Sequence, residues 1–542
     1  MKRPALSRVA IYLTLIVGSL IFSFPFVWMA SSSMKVDREL FTPELRVLPQ
    51  QPLPRAQSPY HEDRRLTALP GSATLQAEVL PKLRDLVRER LPLLPPEAVA
   101  PVAEEALFSL ESRAPAGLFD ERTPGLLAFA ATDLTPQRLQ ELSDRLQRQL
   151  LIGPIRVRSR ELMDVELLPE ISPSARWANA NDSVARLTDD TVGGVQVSRV
   201  TYDFSKGDQF ALAANAQLPF DGPELERIQI RLRPDDTWHD LTVTLEVNGR
   251  THTGVRKSVL ANELWQTFTW RFPSGDDNST KNKTWVVLQD TGSSAVTGRD
   301  ARITLTVSRA SELAAGYSKI ALNYQRVLDQ IPFMRYLRVS LFLVLANIVL
   351  TLLFSSLVAY AFARINWPGR EFCFLLMLAT MMIPSQVTMI PHFLIWKGLG
   401  AYDTLSPLWL GAAFGNAFFI FLLRQFMKGI PRDLEDAARI DGCGFIRIYW
   451  HVILPLVKPS LAAIAIFTFI GTWNDFLGPL IYIADQRLYP LAFGLYAFSV
   501  QVSNNPTITM AASLLMTVPV ILVFFAAQKY FIEGVTLTGM KG

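Results

Sequence analysis

The residues with the clearest functional pattern form a short charged stretch between two long hydrophobic runs, from Pro431 to Pro455. Pro431 suits the first turn of a helix. The acidic side chains that follow lie where the positive end of a helix dipole favours negative charge: Asp433, Glu435 and Asp436. Gly442 can adopt a positive φ, which would end this helix and let a second begin in another direction. The pattern predicts a helix–glycine–helix elbow, residues 431–459, whose role is docking to a partner.

Each predicted helix of the elbow has one narrow face. In the first helix the face is built from residues at i, i+3, i+4 and i+7: Leu434, Ala437, Ala438 and Asp441. In the second helix it is built from Phe445, Ile448, Tyr449 and Val452. We expect Pro455 and Pro459 to end the second helix. Because alanine side chains are small, the first face permits close approach of another surface. An ordinary amphipathic helix at a membrane interface is the alternative.

The elbow resembles the EAA loop of the membrane subunits of ABC importers, which inserts into the ATPase subunit. That motif reads Glu-Ala-Ala, three residues, Gly, nine residues and Ile-x-Leu-Pro, and this chain keeps the spacing. Asp replaces Glu at position 436, and Val replaces Ile at position 452. The resemblance implies ATPase coupling by Glu435, Asp436, Ala437, Ala438, Gly442, Leu454 and Pro455. Because Glu435 lies beside the substituted acid, the sequence leaves open which of the two carboxylates contacts the ATPase.

Further segments resemble the carbohydrate-uptake branch of these importers, in particular the smaller maltose-type permease subunit. They are Asn323-Tyr324, Trp473-Asn474-Asp475-Phe476 and residues 533–542. The resemblance implies a permease subunit, not an enzyme, that imports a sugar or oligosaccharide. It implies four kinds of partner: two ATP-binding subunits, a second permease subunit, an extracytoplasmic solute-binding protein and membrane lipid. No cofactor is expected on this chain, since ATP and Mg would belong to the partner ATPase.

Six hydrophobic runs have about the length that a bilayer-spanning helix needs. They are Val9–Ala30, Val339–Phe362, Phe372–Ile395, Pro407–Leu423, Leu461–Ile481 and Met510–Ala527. They predict an all-α polytopic membrane protein, and the resemblance implies the type I ABC importer fold. Basic residues cluster before the first run, after the second, after the fourth and after the sixth. The positive-inside rule therefore places both termini and the elbow in the cytoplasm and residues 31–335 outside a bacterial inner membrane.

The segment between the first two runs has the composition of a soluble protein and is long enough to bury a core. Its first part is rich in proline, and Thr135-Pro136 then begins a helix with an apolar stripe of Leu139, Leu142, Leu146 and Leu150. Further on, alternation with period two predicts an antiparallel β-sandwich. The predicted domains are 1–35 (first transmembrane helix), 36–59 (linker), 60–190 (mainly helical), 191–315 (β-sandwich) and 316–542 (permease core).

The function of this insert stays open at the level of sequence. Its strand pattern looks like that of jelly-roll modules, many of which bind sugars, and four tryptophans could stack on sugar rings: Trp238, Trp265, Trp270 and Trp285. Trp270 shares the inward side of its strand with Phe268 and Phe272, so core packing is the better interpretation for it. Two alternatives are a structural brace without a ligand and a surface that binds a partner.

Polar side chains at membrane depth are candidates for a translocation path, because they are costly unless they face a cavity or another helix. The candidates are Gln386, Asn416, Asn474 and Asp475. Hydrogen bonding between helices is the alternative, and it is favoured for Asn416 and for Asn347. The histidines have no ligand spacing, so no metal site is predicted. Two other functions remain open: an importer of a non-sugar solute, and a membrane-anchored glycan sensor.

Overall fold

The computed structural model describes residues 5–41, 46–62, 69–115, 118–119, 123–161, 163–167, 177–180, 183–192, 194–273, 285–501 and 505–536. The chain divides into two compact units. The first unit comprises residues 1–279 and 283–323, and the second comprises residues 280–282 and 324–542.

Helices form the first part of the first unit. They are α1 (Ala5–Ser33), α2 (Asp37–Leu40), α3 (Ala73–Arg90), α4 (Pro96–Glu111), α5 (Thr123–Asp133) and α6 (Pro136–Leu146). Apolar side chains recur at every fourth residue of α3 and are buried in a helical core: Leu75, Val79, Leu83 and Val87. Complete burial of such a side chain stabilises the fold by roughly 1.5–3 kcal/mol. The other helices of this core are α4, α5 and α6.

The remainder of the first unit is mostly β-sheet. Its strands are β1 (Gln57–Ser58), β2 (Tyr60–His61), β3 (Gln147–Arg148), β4 (Leu150–Ser159), β5 (Asp164–Glu166), β6 (Trp177–Asn179), β7 (Ala185–Val192), β8 (Val195–Asp203), β9 (Gln209–Gln217), β10 (Leu225–Arg233), β11 (Asp240–Val247), β12 (Arg250–Gly254), β13 (Ser258–Val259), β14 (Gln266–Arg271), β15 (Val286–Ser293) and β16 (Asp300–Ser308). A short 3₁₀ helix, Gly222–Glu224, precedes β10.

Most of these strands join in one hydrogen-bonded order, β1-β8-β4-β10-β14-β15-β12-β11-β16-β9-β6. Strand β7 pairs with β8, β5 with β4 and β13 with β11, whereas β2 and β3 form a separate small sheet. Strands β14 and β15 pair in parallel, and the other pairs described are antiparallel. The short parallel contact therefore joins two antiparallel halves.

A single buried core contains side chains from both halves. Strand β10 contributes Ile228, Ile230 and Leu232, and β11 contributes Leu241, Val243, Leu245 and Val247. In a β-sandwich, two sheets pack face to face over one shared core, and this arrangement is present here. The predicted period of two is confirmed for these strands. The predicted turn is confirmed as well, since Asn248 and Gly249 have φ of +52° and +74°, the conformation of a type I′ hairpin.

The change from helix to strand comes earlier than the predicted boundary at residue 190. The helices end at Leu146, and β3 to β7 all precede residue 193. Leu150, which the sequence pattern assigned to the stripe of a helix, lies in β4 instead. Strand β4 contains Gly153-Pro154, and an interior proline removes a helical hydrogen bond and clashes with the preceding turn. Tertiary pairing of β4 with β10 therefore replaces the helical periodicity.

The second unit is helical in the part that the structure describes. Helix α7 (Glu312–Gln330) crosses the division between the units. The other helices are α8 (Phe333–Arg364), α9 (Arg370–Thr380), α10 (Ser385–Gly398), α11 (Ser406–Leu410), α12 (Ala417–Lys428), α13 (Asp433–Ile440), α14 (Phe445–Ile448), α15 (Leu454–Leu456), α16 (Lys458–Trp473), α17 (Leu477–Tyr482), α18 (Leu491–Gln501) and α19 (Pro506–Thr536). A π turn, Tyr449–Ile453, joins α14 to α15, and 3₁₀ turns cover Gly411–Phe414 and Gln486–Leu488.

The predicted count of six spans is not confirmed. Within the described residues, four helical stretches are long and apolar enough to cross a membrane: Ile11–Ser33, Phe333–Arg364, Ser406–Lys428 and Pro506–Ala526. A fifth is obtained if Phe445–Leu456 and Lys458–Trp473, which meet at a bend of 78°, count as one span. The third predicted run consists of two shorter helices, α9 and α10. Pro384 lies at the break between them, where proline disfavours helical conformation for the preceding residue.

Candidate functional site

The elbow begins with α13, whose first turn carries Asp433, Glu435 and Asp436 as the sequence predicts. Gly442 ends this helix with φ of +81°, so the predicted positive φ is confirmed. The backbone N–H groups of Gly442 and Cys443 donate to the carbonyls of Arg439 and Ala438, each at 2.9 Å. A Cβ at Gly442 would meet nothing within 4 Å. The glycine is therefore required for its backbone conformation and not for space.

The second helix of the elbow is less regular than its stripe suggests. Ile448 and Tyr449 are buried, whereas Phe445 is 54% exposed. Helix α14 passes into the π turn and then into α15, so the helical path continues beyond Pro455 to Leu456. The helical path then breaks at Val457, between Pro455 and Pro459, with a bend of 78°, so the predicted end of the second helix is confirmed. The wide turn lies directly before the proline, whose ring would clash with a carbonyl in a regular helix.

The two carboxylates that the sequence could not distinguish have different surroundings. The Glu435 side chain is 4% exposed and its Oε1 lies 2.9 Å from Arg364 Nε. The Asp436 side chain is 60% exposed and pairs with Arg439 at 3.1 Å. Asp436 is therefore the carboxylate that is accessible to another subunit, and Glu435 contacts the chain's own α8.

The outer surface of the elbow is apolar to an unusual degree for a charged segment. Ala437, Gly442 and Pro455 are exposed, Ala438 and Leu454 are half-buried, and large side chains surround them. These large exposed side chains are Leu434, Ile440, Phe445, Ile446, Trp450 and Leu456. Ile440 is 86% exposed. Several large exposed apolar side chains on one short segment are typical of a protein–protein contact.

The four candidates for a translocation path have different roles. Asn474 lines a cavity of about 390 Å³, and its amide donates to the carbonyl of Ile470. Asn416 caps α12 by accepting from the N–H groups of Phe418 and Phe419. Asp475 accepts from the N–H of Gly478 at 3.1 Å, at the start of α17. Gln386 lies exposed on α10, so the sequence-predicted set does not form one cluster.

The cavity at Asn474 is lined by hydroxyl groups that the sequence analysis missed. They are Ser499, Thr509, Ser513 and Thr517, and the last three recur at intervals of four on α19. That interval is the signal that could have revealed them, because it places the three on one helix face. For Asn347, the expected interhelical bond is present, since its amide donates to the carbonyl of Leu408 at 3.0 Å.

The tryptophans of the insert are divided between core and surface. Trp270 is buried at 1% exposure, which confirms core packing. The strand pattern assigned Trp238 neither to the core nor to the surface. In the structure it is 2% exposed and has φ of +60°. Trp265 and Trp285 are half-buried, and Arg231 and Arg271 stack on their rings at 5.2 and 5.1 Å.

Trp238 also lines a polar cavity of about 340 Å³ with Arg38, Arg46, Arg55, Tyr60 and Lys319. Two of the cations in this cavity are already paired with acids. Arg38 contacts Asp236, and Lys319 contacts Glu39. These ion pairs connect segments of the chain that are distant in sequence, so the two cations stabilise the fold at this cavity. Among the described residues, no group of His, Cys, Asp or Glu has a metal-binding arrangement.

The comparison with known proteins identifies the second unit. Residues 351–536 match the family described as "Binding-protein-dependent transport system inner membrane component". The arabinooligosaccharides transport system permease protein AraQ of Halalkalibacterium halodurans is 39% identical over 203 residues, which are 38% of this chain and 72% of AraQ. The chain belongs to this family of inner-membrane transport components.

Two further proteins are similar to about the same share of this chain. The alpha-glucoside transport system permease protein AglG of Rhizobium meliloti is 32% identical over 41% of this chain and 60% of its own length. A crystal structure of a bacterial ABC transporter involved in the import of the acidic polysaccharide alginate matches 39% of this chain and 79% of its own, at 30% identity and a TM-score of 0.35. The insert lies outside the family match.

Family membership confirms several predictions. The chain is a permease subunit of an ABC transporter, a multi-pass protein of the inner membrane. It is a transport subunit and not an enzyme, since ATP hydrolysis belongs to a separate subunit. The type I ABC importer fold is confirmed at this level for the helical second unit.

Proposed function

We propose that this permease imports a sugar or oligosaccharide. The observation that supports this substrate class most directly is the similarity to AraQ and AglG, whose names specify arabinooligosaccharides and alpha-glucosides. The hydroxyl groups of the cavity at Asn474 fit the same class, because hydroxyls and amides exchange hydrogen bonds with sugar hydroxyls in place of water. An importer of a non-sugar solute is the alternative.

The assembly would contain this chain, a second permease subunit, two ATP-binding subunits and a solute-binding protein, with ATP and Mg held by the ATP-binding subunits. In this proposal the elbow docks to an ATP-binding subunit through its apolar outer surface, and Asp436 is the exposed carboxylate of the contact. Closure of the ATPase dimer would then move the elbow and open the path outward by alternating access. The termini and the elbow would lie in the cytoplasm, and residues 31–335 would lie outside.

The translocation path in this chain would follow the cavity at Asn474. The polar side chains line it from α18 and α19, and the apolar residues Leu495 and Met516 complete the wall. We place Asn474 in the path. We assign Asn416 to capping of α12 and Asp475 to the start of α17, because each already accepts backbone hydrogen bonds there.

For the insert we propose a structural brace near the outer mouth of the transporter. The burial of Trp238 and Trp270 supports this role, because neither ring is free to stack on a sugar. A glycan-binding function would have to use Trp265 or Trp285, which are half-buried. Tethering would raise the effective concentration of a ligand even at a weak site.

Substrate class is tested by purifying the complex with its solute-binding protein and measuring ATP hydrolysis in liposomes. We expect oligosaccharides that bind the solute-binding protein to stimulate hydrolysis and to accumulate inside. If only amino acids or ions stimulated ATP hydrolysis, the chain would be an importer of a non-sugar solute instead. Failure of any solute to stimulate hydrolysis, with glycan binding retained on the insert, would favour the sensor function.

The role of the insert is tested separately by calorimetry. A soluble fragment of about residues 34–323, which retains the Lys319–Glu39 pair and is shown by circular dichroism to be folded, is titrated with oligosaccharides and with the solute-binding protein. The brace predicts no heat with oligosaccharides. Binding that disappears in Trp265→Ala, but persists in a Trp270→Phe control, would establish a glycan site.

A further inference from the structure

One face of α8 carries three polar side chains that all reach the elbow. Ser356, Tyr360 and Arg364 recur at intervals of four, so they lie above one another on the helix. All three are buried in the structure. A polar stripe on a long apolar helix is costly unless every member has a partner.

Each member of the stripe contacts a different part of the elbow. Ser356 Oγ lies 2.7 Å from the hydroxyl of Tyr449 in the π turn. The Tyr360 hydroxyl donates to the carbonyl of Phe445, at the start of α14, at 3.2 Å. Arg364 Nε lies 2.9 Å from Glu435 Oε1 in α13. Both helices of the elbow and its π turn are therefore held by one helix.

Arg364 adds a third element to this arrangement. It is the last residue of α8, and its Nη2 donates to the carbonyls of Met427 and Ile430, the latter at 2.8 Å. These carbonyls lie at the end of α12 and just after it. The Arg364 and Glu435 side chains are 3% and 4% exposed. Removal of Glu435 would leave the buried Arg364 without a carboxylate, and removal of Arg364 would leave Glu435 only the Arg439 guanidinium, 3.9 Å away. Loss of one partner of a buried ion pair is strongly destabilising.

We propose that the stripe of α8 is the transmission element of the permease, and that the elbow and α8 move as one rigid body during transport. Arg364, Tyr360 and Ser356 are then positioning residues, since they carry the motion of the elbow into the membrane helices without touching the ATPase. This inference rests on the proposed docking of the elbow to an ATP-binding subunit.

The common motion of the elbow and α8 is tested in the intact, reconstituted complex. The distance between two spin labels is measured by pulsed electron–electron double resonance. Exposed positions are available at Arg447 on the elbow, outside its apolar surface, and at Leu357 on α8. We expect the distance between the labels to be the same in the nucleotide-free and ATP-bound states, while a distance from Arg447 to a label on the partner permease changes. A change between Arg447 and Leu357 in the wild-type background would overturn the proposal.

The ion pair is tested by a double-mutant cycle with Arg364→Met, Glu435→Leu and both together. Each single variant should lower the solute transported per ATP hydrolysed by about tenfold. The double variant should recover to within about threefold, because an apolar pair can replace a buried ion pair. The carbonyls of Met427 and Ile430 lose their donor in both variants that lack Arg364, so this loss cancels in the cycle.

Arg487→Met serves as the matched control, because Arg487 pairs with Asp485 on an exposed loop at 71% exposure of its side chain. It should transport like the wild type. A double variant no better than the sum of the two singles would show that the pair does not act as a unit, and the proposal would fail. If the wild-type complex showed no stimulated ATP hydrolysis at all, the docking function itself would fail instead.

Discussion

At the scale of single residues, Gly442 provides the sharpest test of the elbow. A β-branched side chain at φ of +81° is strained by about 1–2 kcal/mol, although nothing lies within 4 Å of its Cβ. We expect Gly442→Val to reach the membrane but to lose substrate-stimulated ATP hydrolysis in the assembled complex. ATPase activity with and without loaded binding protein is the measurement.

Gly444 is the matched control for this substitution. It lies two residues away, has φ of −79° and ψ of 169°, and likewise has open space around its Cβ. Valine adopts these angles without strain. Gly444→Val should therefore retain stimulation, and equal loss in both variants would show that bulk on the surface, not backbone conformation, is responsible.

His239 leads us to expect that acid destabilises the insert. Its Nε2 donates to the carbonyl of Arg55 at 2.8 Å, and its Nδ1 accepts from the N–H of Ala310 at 3.2 Å. Burial lowers the pKa of His239 below its usual 6.5, against the opposing effects of the Arg55 carbonyl and Asp235. Protonation would also remove the acceptor that Ala310 needs.

Because the unfolded state binds this proton first, stability should be constant above about pH 7 and fall as the pH drops below 6.5. The loss should be complete once the pH lies below the pKa of His239 in the folded state. Thermal unfolding of the purified chain followed by tryptophan fluorescence measures it. Burial also lowers the pKa values of His61 and His252. His239→Gln is therefore compared with the wild type and with His61→Gln, and it should flatten the profile, because protonation of His239 also removes the acceptor of the Ala310 N–H.

Local conformation was predictable from single residues, but their partners were not. A glycine between two helical patterns indicated the positive φ of Gly442, because few other residues adopt it. The choice between Glu435 and Asp436 was not predictable. It depends on Arg364, which approaches only after α8 and α13 pack together.

At the scale of elements, the start of α6 is fixed by its cap. Thr135 Oγ1 accepts from the N–H of Arg138, and Pro136 follows as the first helical residue. Thr135→Ala should destabilise the helical part of the insert by about 1 kcal/mol, and Thr135→Ser should restore most of that loss. Urea unfolding of the folded fragment measures both.

Thr132 is the control for the cap, because it is an exposed threonine only three residues earlier. Its hydroxyl donates to the carbonyl of Ala128 inside α5 and caps no helix start. Thr132→Ala should change stability by less than about 0.5 kcal/mol. Equal effects at both positions would remove capping as the explanation.

Elements with a strong local signal were predicted correctly, and those decided by long-range contacts were not. Alternation and the Asn248-Gly249 turn identified β11 and its hairpin. Strand β4 was missed because its pairing with β10 outweighs a leucine pattern that also fits a helix. The break between α9 and α10 was underestimated at Pro384, and the π turn has no signal in the sequence beyond the following proline.

At the scale of the whole molecule, the two ends of the insert lie next to each other within the first unit. Lys319 and Glu39, which are 280 residues apart in sequence, form an ion pair with both side chains about 5% exposed. Burial lowers the pKa of Lys319, and Glu39 opposes that effect. The amide of Asn323 donates to the carbonyls of Ser33 and Lys35 at 2.9 and 2.8 Å. A domain whose two ends lie close together can be inserted between two elements without separating them. This explains how a family member can carry a large domain between its first two predicted spans.

The orientation of the chain is the last prediction, and it decides where this insert works. The distribution of basic residues places the insert outside and the elbow inside. Thr297 is exposed beside the Asn248-Gly249 turn, whereas Cys443 lies in the elbow and is half-buried. In a Cys373→Ser background, Thr297→Cys should react with an impermeant maleimide in intact cells whose outer barrier admits the reagent. Cys443 should react only after the membrane is opened with detergent. Labelling of Cys443 in intact cells, with protection of position 297, would invert the topology and place the insert on the side of the ATPase, where it could not brace an outer mouth.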